Sequence, residues 1–383
     1  MAIYLDHNAT TALDERVLEA MLPFLREECG NPSSLHGFGR RARAALETAR
    51  EQVAALVNAH PSQVVFTSGG TEANNLAMKG VAARRAPGLL AVSAAEHPSV
   101  REPAQVLSRQ GWTLQTLALD ASGQLDDASL RTVLARRPAM LALMMANNET
   151  GVLFDVSAVA GAAREAGAVV FSDAVQAVGK LPVDFAASGA HLMSLSAHKL
   201  YGPKGAGALI VDKALDIEPL LHGGGQEKGR RAGTENVAAI VGFGRAAELA
   251  LAELEQRRTH MGELQAHLER RLGAEIDALV LFGADADRLP NTSYFAIPGI
   301  DGETLIGSLD QAGLAVASGS ACGSGDVEPS HVLLAMGVDR TLASGAIRVS
   351  LGKDTRREEV DIFVDQLKAL TKKLRGFGSL ACA

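Results

Sequence analysis

Short apolar segments alternate with Ala-rich helical ones along most of this chain, and that alternation leaves few folds open to it. Strand-like runs occupy 64–67, 89–93, 141–145, 169–172, 192–195 and 208–211. Helical patterns fill the gaps, as at 156–166, and 40–57 precedes the first run. The expected fold class is α/β, a mainly parallel sheet flanked by helices. From Val237 to about Leu272 the pattern stays helical for an unusual length, with Met261, Leu264, Leu268 and Leu272 on one face. It reads as a spine joining a large domain to a small one. Shorter strand-like runs come later, at 292–297 and 346–350. A chain of 383 residues exceeds what one core ordinarily serves. Two domains are therefore expected: 15–255 as the larger, and 1–14 plus 256–383 as a smaller α+β one.

In open α/β sheets ligands bind outside the carboxyl ends of the strands, so the residues just after each run carry the functional information. Val169-Val170-Phe171-Ser172-Asp173 stops at an aspartate, and Ser194-Leu195-Ser196-Ala197-His198-Lys199 stops at a lysine. A lysine amine forms a Schiff base with an aldehyde, and a carboxylate keeps a pyridine nitrogen protonated. Those are the two groups that a pyridoxal phosphate (PLP) enzyme needs. Either residue alone could equally be a solvated charge. Val64-Val65-Phe66-Thr67-Ser68-Gly69-Gly70-Thr71-Glu72 reads as a strand, a glycine turn and a helix start. Backbone N–H groups there make an anion site, to which the Thr71 hydroxyl adds a donor. The plain alternative is an ordinary turn with Thr71 near an N-cap. Glu96-His97-Pro98-Ser99 and Asn147-Asn148-Glu149-Thr150-Gly151 come after two further runs. His97 could stack on a ring or move protons. Five strand ends thus offer polar groups to a single ligand.

Composition narrows the class. The hydrophobic fraction of 47% and charged fraction of 21% are those of a soluble globular protein. A formal charge of −7 argues against nucleic acid as the main partner, and the basic run Lys228-Gly229-Arg230-Arg231 is short enough to be a solvated loop. Met1 to Asp6 lacks the basic start and apolar stretch of a signal peptide, and the apolar run 139–146 is too short to span a bilayer. No membrane association and a cytoplasmic location are expected. Three cysteines, widely spaced and odd in number, make neither a disulfide framework nor a zinc site. Cys29 reads as a buried small hydrophobe near a helix end, and Cys382 as a tail thiol. Cys322 differs: Ser318-Gly319-Ser320-Ala321 and Gly323-Ser324-Gly325-Asp326 surround it with small residues, which suits a thiol that must enter a site and leave it.

Taken together, several blocks of this chain resemble the signature segments of PLP-dependent cysteine desulfurases. They are Asp6-His7-Asn8-Ala9-Thr10-Thr11, Gly30-Asn31-Pro32-Ser33-Ser34-Leu35-His36, Ser68-Gly69-Gly70-Thr71-Glu72, Asn147-Asn148-Glu149-Thr150-Gly151, Asp173-Ala174-Val175-Gln176 and Ser196-Ala197-His198-Lys199. Arg231-Ala232-Gly233-Thr234-Glu235-Asn236 and Ser318-Gly319-Ser320-Ala321-Cys322 complete the set. The likeness runs in order from residue 3 to about residue 355 and is nearest the nitrogen-fixation and iron–sulphur-cluster branch (NifS/IscS type). The other branch carries its cysteine in an Arg-x-Gly-His-x-Cys setting, which is absent.

The resemblance implies a PLP-dependent transferase fold of type I and a homodimer that turns L-cysteine into L-alanine and a protein-bound persulfide. It implies that Lys199 holds PLP and removes the Cα proton, that Asp173 pairs with the ring nitrogen, and that Gln176 reaches the ring hydroxyl. Gly70, Thr71, Ser196 and His198 would bind the phosphate, joined by Thr234 from the other subunit. His97 would lie over the ring and help move protons. Asn147 would contact cofactor and substrate, and Arg348 would grip the substrate carboxylate with its planar fork. Otherwise Arg348 would read as a surface charge on its strand. Cys322 would accept the sulphur and could ligate an iron–sulphur cluster transiently; no resident metal is expected. An iron–sulphur scaffold is one possible sulphur acceptor. The tail after Gly376 is shorter than in many relatives, where it helps dock such a scaffold, so docking is less firmly implied than desulfuration. His7 receives no role. The alternatives are a related class V enzyme, such as an aminotransferase or a selenocysteine lyase, and a non-catalytic scaffold, which would have lost the Lys or the Asp.

Overall fold

The computed structural model describes residues 2–318 and 328–381. Its strands are β1 Ile3–Tyr4, β2 Val64–Thr67, β3 Leu89–Ser93, β4 Thr113–Leu117, β5 Met140–Ala142, β6 Val169–Asp173, β7 Leu192–Ser196, β8 Gly207–Val211, β9 Val280–Leu281, β10 Thr292–Ala296, β11 Leu314–Ala315 and β12 Ala346–Ser350. Seven of them form the central sheet in the order β2-β8-β7-β6-β5-β3-β4. Only β8 runs against the rest, pairing antiparallel with both β2 and β7. The carboxyl ends of β2, β3, β5, β6 and β7 therefore share one edge, as the strand-end motifs require.

The sheet is apolar on both faces because helices cover both. Along β2, Val64 and Phe66 join one apolar cluster while Val65 joins the other, and the same alternation runs through β3 and β8. The edge strand β4 has no counterpart among the expected runs. Thr113 and Thr116 are exposed, so its sequence shows neither a continuous apolar run nor a clean alternation. The run expected at 141–145 leaves the strand after Ala142, although Leu143 and Met145 still donate to Phe171 and Asp173 of β6.

The long helix expected from Val237 is two helices, Val237–Ala252 and Leu254–Glu275. Between them Glu253 leaves helical geometry at φ −104° and ψ 7°. Its carboxylate holds Arg16 at 2.5 Å and Arg257 at 2.7 Å. The face that carries Met261, Leu264, Leu268 and Leu272 is buried. The last three join Ile3, Leu5, Phe295, Ile347 and Phe363 in a separate core around the sheet β12-β10-β9. The N-terminal segment crosses from that core to the site: β1 pairs with β11, Asp6 bridges Ser350, and the Thr11 N–H donates to His198 O at 3.0 Å. Cys29 lies beyond the helix Glu15–Arg26 and is exposed, contrary to the buried reading, because the chain has left that helix and runs over the surface. Among the described residues no helix is long and apolar enough to cross a membrane.

Candidate active site

Asp173 ends β6, is almost fully buried and forms no salt bridge among the described residues. Its oxygens instead accept from Asn74 Nδ2 at 2.7 Å and from the Val175 N–H at 2.9 Å. A buried carboxylate that is hydrogen-bonded but lacks a counter-cation suits a cationic ring N–H. Asn74 also donates to Ser99 Oγ at 2.7 Å, and that hydroxyl meets His97 Nδ1 at 2.7 Å. The Ser99 backbone N–H donates to the same nitrogen, so the neutral ring carries its proton on Nε2. Burial is the main cause that pushes the His97 imidazole below its ordinary pKa; Asp173 opposes the shift and Lys199 adds to it. His97 is accordingly a neutral N–H donor at pH 7.

Lys199 ends a 3₁₀ turn directly after β7, next to β6 in the sheet. Its Nζ donates to Asn8 O and, at 2.8 Å, to Ala9 O. Burial, with Arg348 nearby, brings its amine down to about 8. A fraction is therefore neutral, and so nucleophilic, near physiological pH. Burial likewise holds His198 near 4, and its Nδ1 lies 3.1 Å from Thr10 Oγ1. Ser196 Oγ is buried without a partner among the described residues. Gly69, at φ 153°, caps the helix Gly70–Ala82 with no side-chain bond, so that helix N-terminus is open to an anion. A side chain at Gly70 would approach Val175 and Ser196, which shows how closely the turn lies to β7. An unpaired buried acid, a depressed lysine, an orphaned hydroxyl and a free helix N-terminus fit the pyridine nitrogen, aldehyde and phosphate of PLP.

The other expected residues divide. Arg348 is 5% exposed, which removes the surface-charge reading. Its fork is held by Asp6 at 2.7 Å and Asn148 O at 3.0 Å, and its Nε is buried without a partner among the described residues. Gln176 is buried and donates to Asn8 O at 2.9 Å. Asn147 is committed to its own turn: Oδ1 accepts from the Glu149 and Thr150 N–H groups, and Nδ2 donates to Ala95 O. It orients the strand end, and its amide nitrogen also lies 3.6 Å from Met144 Sδ. Thr71 is exposed at the helix start. Thr234 is exposed in a loop that Arg231 ties to Glu72 at 2.9 Å. Cys322 lies outside the described residues. Among those described, no group of His, Cys, Asp and Glu could hold a metal ion.

Several residues of the site escaped sequence reasoning. Asn8 links Lys199, Gln176, Thr292 and Ser350. Glu149 is buried and accepts from Ser330 Oγ. Lys180 is buried behind Gln176. Asn8 and Glu149 lie within the quoted signature segments, and for Lys180 the signal was a lysine within the apolar run 177–183.

The model of the aminotransferase class-V family matches residues 3–363. A cysteine desulfurase of Klebsiella pneumoniae is 46% identical over 374 residues, covering 97% of this chain and 94% of that protein. A solved NifS-like protein is 37% identical with a TM-score of 0.91, covering 97% of this chain and all of that one. The structure of SspA in complex with cysteine is 30% identical with a TM-score of 0.80, over 91% of this chain and 99% of that one. With the fold, the strand-end constellation and the family model agreeing over nearly its whole length, the chain belongs to the aminotransferase class-V family.

Proposed function

We propose that this protein is a PLP-dependent cysteine desulfurase, which converts L-cysteine to L-alanine and leaves the sulphur on Cys322 as a persulfide. The observation that carries the reading is the buried, cation-free Asp173 on the strand beside Lys199. The relative solved with bound cysteine supports the substrate. Bound PLP supplies an electron sink for the pair left at the substrate Cα.

This chain's own residues do the rest. Asp173, held by Asn74 and the Val175 N–H, keeps a proton on the ring nitrogen. The open N-terminus of the helix Gly70–Ala82, Ser196 Oγ and His198 receive the phosphate. Lys199, with its depressed pKa, attaches the cofactor and then takes the Cα proton. Arg348, locked by Asp6, presents its guanidinium to the substrate carboxylate. His97, with its Nδ1 held by Ser99, would offer the Nε2 proton to the reacting groups. The Cys322 thiolate forms an S–S bond while the substrate Cβ–S bond breaks. The electron pair of the broken bond stays on carbon, and protonation there completes the alanine methyl group. The net change is one sulphur atom moved from the free cysteine to Cys322. Bond breaking at sulphur without a cysteine acceptor would describe a lyase instead.

We also infer a cytoplasmic homodimer whose Thr234 serves the partner's phosphate site, and a protein acceptor for the sulphur, such as an iron–sulphur scaffold. The test is stoichiometric. PLP-loaded protein with L-cysteine should release alanine and carry a +32 Da adduct on the peptide containing Cys322 (the mass of one sulphur atom). Cys322→Ser should retain PLP and lose both products. Alanine formed by Cys322→Ser at the wild-type rate would refute the assignment.

A further inference from the structure

Lys180 is 5% exposed, and no acidic side chain pairs with it among the described residues. Its Nζ donates to Gln176 Oε1 at 2.7 Å and to Asn8 Oδ1 at 3.0 Å. Burial pushes its amine well below the ordinary lysine pKa, with Lys199 and Arg348 adding to the shift. Placing an amine in so closed a site is unfavourable unless each N–H has an acceptor. Here the two acceptors are both side-chain amides, and that is informative. Each amide nitrogen is engaged elsewhere, Gln176 Nε2 by Asn8 O and Asn8 Nδ2 by Thr292 Oγ1 and Asn148 O, so the oxygen is the atom each amide turns toward the Lys180 N–H groups.

For Gln176 the consequence is direct. With Oε1 turned to Lys180, Nε2 gives one N–H to Asn8 O at 2.9 Å, and its second N–H has no protein partner among the described residues. Asn8 is fixed in the same way. Its Oδ1 takes Lys180 and Asn291, and its Nδ2 donates to Thr292 Oγ1 at 2.8 Å and Asn148 O at 3.2 Å. The backbone carbonyl of Asn8 accepts from both Gln176 and Lys199. Gln176 and Lys180 stand four residues apart in one tight turn, in which the Lys180 N–H donates to Ala177 O at 3.1 Å. The donor thus travels with the residue that it orients.

We propose that Lys180 is a positioning residue for the cofactor, which sets the amide of Gln176 so that a free N–H, and not the carbonyl oxygen, faces the ring oxygen of PLP. The proposal rests on the PLP reading above. Without the Lys180 donor only Asn8 O holds the amide in this sense, and a half-turn would present a lone pair to an oxyanion, which repels it.

The experiment is a double-mutant cycle on PLP affinity, measured by equilibrium dialysis of apoprotein freed of its cofactor. Lys180→Met and Gln176→Ala should each weaken PLP binding by about tenfold or more, and the double variant should be no weaker than Gln176→Ala alone to within about twofold. Lys180→Gln, whose amide N–H still donates to Gln176, should stay within about threefold of wild type. Additive losses in the cycle, or wild-type affinity in Lys180→Met, would overturn the proposal. So would a loss in Lys180→Gln equal to that in Lys180→Met, because the charge and not the donor would then matter. Should Lys180→Met not fold, Lys180→Gln decides alone: a tenfold loss there overturns the proposal, and retained affinity supports it. Failure of the wild-type apoprotein to bind PLP would instead sink the cofactor reading, so the two failures are distinct.

Discussion

The free edge of the central sheet offers the sharpest stability test. β2 pairs with β8 on one side only, which leaves Val64 O and the Phe66 N–H facing outward at the edge. Arg50 and Glu227 cover both groups. Arg50 Nη1 donates to Val64 O at 2.9 Å, and Glu227 Oε2 accepts from the Phe66 N–H at 2.8 Å. The two side chains meet at 2.7 and 2.8 Å with 6% and 2% exposure, and the guanidinium lies 4.7 Å over the Phe66 ring. An ion pair thus stands where a neighbouring strand would. Glu227 also sits at φ 47°, a left-handed geometry held by these bonds.

Arg50→Met strands the Glu227 carboxylate in the interior with only the Phe66 N–H to satisfy it. Breaking a buried pair from one side typically removes about 3–5 kcal/mol. Adding Glu227→Gln removes the stranded charge while keeping an acceptor for Phe66, so the double variant should be more stable than Arg50→Met, within about 1–2 kcal/mol of wild type. Trp112, the only tryptophan, shares an apolar cluster with Val65 of β2 and reports on this sheet. Urea unfolding monitored by its fluorescence should show Arg50→Met falling by about 1 M in midpoint and the second change restoring most of it. A loss below about 1 kcal/mol in Arg50→Met, or a double variant less stable than the single, would show that the pair does not cover the edge.

Borohydride should fix PLP covalently to Lys199, and Lys199→Ala should abolish that attachment; reduction onto another lysine would displace Lys199 from its role. Glu149 is raised to about 7, first by burial and against the pull of Ser330, Arg348 and Arg101. The folded state therefore holds a proton that the unfolded chain releases near pH 4.5, so this contribution is full below that pH and is lost as pH rises to about 7, on the order of 3 kcal/mol in all. Glu149→Gln should flatten urea stability across that window, and an unchanged slope would count against the buried acid. Thr234→Ala should load PLP poorly, losing roughly 1.5–3 kcal/mol of binding. When it is refolded with Lys199→Ala, activity should return at limiting PLP, since each mixed dimer then has one site with intact Lys199 and Thr234. No recovery with mixed dimers shown to be present would place Thr234 in its own chain's site.

The elements legible in the sequence are those whose local pattern and final environment agree. Residues 64–67 and 89–93 form strands at the expected bounds, because a strand covered on both faces is mostly apolar; 346–350 does so too, with the buried Arg348 as its one charge. β4 escapes because its exposed threonines belong to a sheet edge, a position that no local pattern states. The break at Glu253 escapes because its partners include Arg16, which meets it only in the folded chain.

Order and residue type along the chain determined the α/β alternation, the polar groups at five strand ends, and the Asp173 and Lys199 pair that points to the cofactor. These are local properties, set by the residues at the end of each apolar run. The tertiary structure alone decided how those groups are held. Asn8 reaches Lys199 and Gln176 across more than 160 residues, Asn74 orients His97 through Ser99, Lys180 turns Gln176, and Arg50 finds Glu227 to close a sheet edge. Each such contact satisfies a buried polar atom. A sequence names the atom, but which partner lies within 3 Å of it is settled only when packing excludes water and leaves that one donor or acceptor beside it.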